Sequence, residues 1–108
     1  MTAKRYNIGK LGTASRTLVE AGEGERIRIE QVWVCNTHDS NIDVTLSHVP
    51  ARDDADESNF RLWNEVIVRA DTTQVIDSTI YLEPGDRLTA FAATADKIAV
   101  TLYGRSSE

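Results

Sequence analysis

From Thr17 to Tyr103 the chain alternates apolar and polar residues with a period of two, and no window sustains a helical period. That is the pattern of strands with one face buried. Arg26-Ile27-Arg28-Ile29-Glu30 points Ile27 and Ile29 inward. The phase then changes, since Val32 and Val34 sit on the opposite parity, which predicts a bulge at Glu30-Gln31. Alternatively this stretch is buried on both faces, with Trp33 and Cys35 packed on the second side. Ile42, Val44 and Leu46 alternate with Asp43, Thr45 and Ser47, as in a half-buried antiparallel strand. Pro50 ends it.

Further strands are expected at Thr17–Glu20, after Phe60 and Leu62 at Glu65–Asp71, within Thr72–Leu82, at Leu88–Ala92 and at Ile98–Tyr103. Turn signals separate them: Gly22-Glu23-Gly24, the Asn36–Asn41 cluster, Glu83-Pro84-Gly85-Asp86 and Ala95-Asp96-Lys97. Proline and glycine in Pro84-Gly85 fit the two central positions of a type II turn. Seven or eight short strands with turns every 8–12 residues predict an all-β, antiparallel two-sheet β-sandwich, of which the jelly roll is one form. Residues 16–108 form that domain. Residues 1–15, small and polar with Gly9 and Gly12, read either as a frayed end or as an extended N-terminal arm that docks on a neighbour.

The length of 108 residues fits one domain. The net charge of -5 argues against a phosphate backbone as partner. A lone cysteine, Cys35, makes neither a disulfide within the chain nor a thiolate metal cluster, and reads as a core residue. No apolar run is long enough to span a bilayer, and Met1–Lys10 lacks the apolar stretch of a signal peptide, so synthesis in a cytoplasm is the expectation.

Candidate chemistry is sparse. No nucleophile elbow, phosphate-binding glycine loop or paired-histidine helix occurs, so no catalytic or cofactor-binding residue is assigned. His38, Asp39 and Ser40 suggest a triad by type, but neighbours in one turn rarely converge on one substrate atom. The acidic run Asp53-Asp54-Ala55-Asp56-Glu57 offers oxygens to calcium without the glycine or the spacing of an EF-hand. It reads as a solvated loop, and no metal is assigned. Trp33 and Trp63 fit core positions, or interface anchors that bury large areas at low entropic cost. Trp63, beside the polar loop, is the better anchor of the two, and Tyr6, Ile8 and Leu11 are the candidate contacts of the arm.

Two stretches carry a resemblance. Arg26-Ile27-Arg28-Ile29-Glu30-Gln31-Val32-Trp33-Val34-Cys35-Asn36-Thr37 ends a strand on Val-Cys-Asn-Thr. Later, Asn64–Val68 leads through Thr72-Thr73 to Ile80-Tyr81-Leu82-Glu83-Pro84-Gly85-Asp86-Arg87-Leu88, and Ile98–Gly104 closes the domain. Over residues 17–104 this is similar to small β-sandwich structural proteins of tailed bacteriophages. The resemblance implies a non-enzymatic virion component made in the bacterial cytoplasm, foremost a decoration or minor capsid protein on the outer capsid surface. Its implied partners are the major capsid protein or another virion protein, and further copies of itself in a homo-oligomer. A tail or collar component shares the fold, and a carbohydrate-binding sandwich that stacks sugars on Trp33 or Trp63 is the alternative from a different class. A cupin-like enzyme would need a metal cluster that two distant histidines do not supply.

Overall fold

In the computed structural model, residues 2–51, 56 and 60–107 are described, with the side chains of 2–4, 7 and 8 outside that set. Among the described residues there are nine strands and no helix: β1 (Thr2–Lys10), β2 (Arg16–Glu20), β3 (Ile27–Asn36), β4 (Ile42–Val49), β5 (Arg61–Val68), β6 (Thr73–Ile76), β7 (Ile80–Leu82), β8 (Arg87–Ala92) and β9 (Ile98–Ser106). They build two antiparallel sheets. The first runs β1-β9-β3, with β6 and then β7 paired successively along the free side of β3. The second runs β2-β8-β4-β5. Counting β6 and β7 as one interrupted strand, this is the order of a jelly roll, in which most connections cross from one sheet to the other.

The two inner faces meet in a single core. Ile27, Ile29, Val32, Val34, Val100 and Leu102 come from the first sheet, and Ile42, Val44, Leu46, Val68, Leu88 and Ala90 from the second. The phase change in β3 is a bulge: the register against β9 shifts between Ile29 and Gln31. It lets Ile29 and Val32, three apart, both face inward. At the same level Gly104 passes so close to β3 that an added Cβ would collide with the Arg28 carbonyl oxygen and lie 3.1 Å from Ile29 Cα. Between β7 and β8, Asp86 N donates to Glu83 O at 2.9 Å and Gly85 takes φ +88°, the type II turn expected of Pro84-Gly85.

Two expectations are corrected. Residues 1–15 are not an arm reaching for a neighbour: Thr2–Lys10 pairs along its length with β9 of its own sheet. Leu11 is fully buried and Tyr6 packs against the core. The physical reason is that β9 has a second edge to fill, and the pairing brings Tyr6 and Leu11 onto the core. The strand expected within Thr72–Leu82 is present as two, β6 and β7, separated by Asp77-Ser78-Thr79. On β4, Thr45 and Ser47 are buried rather than solvent-facing. These short side chains lie in the middle of the second sheet, below the taller Arg61, whose guanidinium stacks over Phe91 at 5.9 Å.

Asn36, at the end of β3, joins the two sheets. It is 1% exposed. Its Nδ2 donates to Val68 O and to Ser40 O, both at 2.9 Å, while Oδ1 accepts from His38 N at 2.8 Å. The Val-Cys-Asn-Thr strand end is thus a clamp between β3, the following turn and the end of β5.

Candidate interaction site

The largest apolar side chains left outside the core gather on the outer face of the first sheet. The bulge turns Gln31 and Trp33 of β3 outward, opposite Tyr103 and Thr101 of β9. Val75 of β6 lies directly across from Trp33 on the other side. Trp33 and Tyr103 are each 41% exposed and Val75 is 40% exposed. The two rings stand edge to face, with centroids 6.3 Å apart and planes at 77°. That is a favoured aromatic geometry.

The indole is held before anything binds. Its Nε1 donates to Gln31 Oε1 at 3.0 Å, and Gln31 Nε2 donates to Asp77 Oδ1 at 3.1 Å. A side chain fixed in this way loses little freedom on association. Further along the same face Glu30 Oε2 lies 3.2 Å from Arg28 Nη2 and 3.5 Å from Arg105 Nε. Tyr81, 65% exposed, stands across from Arg28. Arg28 Nε is buried without a hydrogen-bond partner. An aromatic centre flanked by arginines is the composition of protein-binding hot spots.

The residues singled out from sequence are distributed otherwise. Leu11 is in the core, and Tyr6 is half-buried against it. Ile8 belongs to β1, but its side chain lies outside the described residues. Trp63 turns inward opposite Leu46 and is half-buried against the core, while Trp33 is the exposed one. The reversal has a local cause. Glu65 takes φ +54° in a bulge where the β4–β5 register shifts between Val44 and Leu46. That extra residue puts Trp63 and Val66, three apart, on one side.

Of the chemical candidates, His38 Nδ1 lies 3.5 Å from Asp39 Oδ1, and the Ser40 carbonyl is taken by Asn36. His48 Nε2 meets Asp86 Oδ2 at 3.2 Å, while the same carboxylate accepts from the backbone N–H of Glu83 and Ala51. Asp86 therefore ties the Pro84-Gly85 turn to the end of β4. The acidic run lies outside the described residues except for Asp56, which is exposed. Among the described residues no three His, Cys, Asp or Glu side chains are grouped to hold a metal ion, and no helix is long and apolar enough to cross a membrane.

No protein-family model matches the sequence, and no curated protein matches it. Among solved structures the chain is similar to the NLP core of Drosophila, a structure described as giving insight into pentamer formation and histone binding. The TM-score is 0.54 at 13% identity, over 97% of this chain and 99% of that one. At that identity the likeness is one of fold.

Proposed function

We propose that this protein is a non-enzymatic structural protein of a tailed-phage virion that attaches to the outer capsid surface as a decoration or minor capsid protein. The observation that carries the reading is the outer face of the first sheet, where Trp33, Tyr103, Val75 and Tyr81 are exposed beside Arg28 and Arg105 on a rigid scaffold. The resemblance over residues 17–104 supplies the virion context. The mechanism is mechanical: this face lies on capsid subunits, and a repeating lattice makes many modest contacts add up. Homo-oligomerisation is part of the proposal. Pentamer formation and histone binding belong to the Drosophila neighbour, and its likeness lends the reading no more than a fold compatible with assembly.

The test is co-sedimentation with purified capsids of the phage that encodes the protein. The wild type is expected to pellet with capsids at a stoichiometry set by the capsid lattice. A doubly substituted Trp33→Ala, Tyr103→Ala protein is expected to stay in the supernatant. Recovery only with tails would move the site of action to the tail or collar. Absence from particles, together with quenching of Trp33 fluorescence by sugars, would overturn the reading in favour of a glycan-binding module.

A further inference from the structure

Residues paired directly across two strands share a face of the sheet, so the register lays out the charges around Trp33. Lys10 of β1 lies beside Ala99 of β9, and Ala99 beside Cys35 of β3. Two outward rungs further on, Arg5 lies beside Tyr103, and Tyr103 beside Gln31. On the next, Arg105 lies beside Arg28, and Arg28 beside Tyr81 of β7. Arg26 and Glu83 close that end as an ion pair at 2.8 Å.

Among the described side chains, this face and its rim therefore hold Arg5, Lys10, Arg26, Arg28 and Arg105 against Glu30, Asp77 and Glu83. The chain as a whole carries -5, with 17 acidic residues against 12 basic ones, so a positive face is a local asymmetry. All three acids are engaged. Glu83 pairs with Arg26, Asp77 accepts from Gln31, and the single Glu30 carboxylate serves both Arg28 and Arg105. One charge of that arginine pair is left over, and Nε of each finds no hydrogen-bond acceptor. Among the described residues the exposed side chains of Arg5 and Lys10 have no ion-pair partner. Beside Tyr81 the face opens into a groove of about 220 Å³ lined by Arg26, Ile27, Arg28, Tyr81, Leu82 and Glu83. Its Ile27, Tyr81 and Leu82 walls suit an apolar side chain, and Arg28 links it to the charged centre.

We infer that the partner segment seated on this face is acidic: a carboxylate-rich stretch of protein that places an apolar side chain in the Tyr81 groove. This partner chemistry rests on the proposed docking role of the face and names what the capsid subunit presents to it. Guanidinium groups suit planar carboxylates, and Arg28 and Arg105 already hold one in Glu30. Opposite charge across the contact sets orientation and speeds encounter, while the aromatic centre supplies burial. Two copies docked through this same face would bring like charges together, which disfavours self-association here. A nucleic-acid duplex carries charge along its whole length and would run beyond a molecule 42 Å long, over its acidic remainder. A short acidic segment meets the face alone.

Fluorescence anisotropy on the full chain at low salt tests it, with a labelled Glu-Glu-Leu-Glu-Glu-Leu-Glu-Glu peptide as probe. The peptide is expected to bind, and to dissociate as NaCl is raised. The same peptide with glutamine for every glutamate, and a short DNA duplex, are expected to bind more weakly. R5E/K10E is expected to weaken the glutamate peptide about tenfold or more with an unchanged circular dichroism spectrum. Should that reversal unfold the chain, R5Q/K10Q, which adds no negative charge, is expected to weaken it about threefold or more. No binding of the glutamate peptide, equal binding of the glutamine peptide, tighter binding of the duplex, or unchanged affinity in the folded variant overturns the inference. Capsid co-sedimentation separates it from the docking role. Pelleting that persists in R5E/K10E and at high salt keeps the role and refutes the acidic partner. Peptide binding without pelleting keeps the acidic partner and refutes the capsid role.

Discussion

Replacing Asn36 by alanine removes three hydrogen bonds at once, from a side chain that is 1% exposed. Each such bond contributes about 1 kcal/mol net, and a buried group stranded without a partner costs about 1–3 kcal/mol. Val68 O, on the buried side, is the partner with least access to water, while Ser40 O and His38 N are half-shielded. The expected loss is therefore about 3 kcal/mol, or a fall in Tm of about 10 °C or more for a chain of this size. Asn36→Asp sharpens the test, because it keeps the shape and the bond from His38 N. It also turns an oxygen toward the carbonyls of Val68 and Ser40 and buries a charge. It should cost at least as much as alanine at neutral pH. Urea unfolding followed by far-ultraviolet circular dichroism measures both, with the slope unchanged if only stability moves. A loss below about 1 kcal/mol for Asn36→Ala would refute the view that this side chain clamps the sheets.

Gly104→Ala should destabilise by about 1–3 kcal/mol, the usual cost of overpacking, because its Cβ would meet the backbone of Arg28 and Ile29; an unchanged urea midpoint would contradict that packing. Leu11→Ala should cost about 2–5 kcal/mol as a core truncation, whereas a free arm would tolerate it without change in Tm. Trp33→Ala should leave the unfolding free energy within about 1 kcal/mol and still remove capsid co-sedimentation, the pattern of an exposed anchor and not of a core residue.

The strands themselves are legible in the sequence because a sheet with one buried face imposes a period of two on side-chain polarity. Ile27 and Ile29, Ile42 to Leu46, and Ile98 to Leu102 follow it and point inward as expected. The β3 bulge is legible for the same reason, since an odd spacing of buried residues has to be absorbed by an extra one. The Pro84-Gly85 turn follows from backbone sterics that act locally.

What the tertiary structure alone decides is pairing. That Thr2–Lys10 is an edge strand depends on β9, far along the chain, leaving a side unfilled, and nothing within the segment records this. The bulge at Glu65 exchanges the faces of Trp63 and its neighbours, because one added residue flips every side chain beyond it. A polar residue carries no periodic signal for such a slip. Which tryptophan is exposed is therefore set by register between distant strands. Alternation fixes that a face exists, and only the pairing fixes what that face is next to.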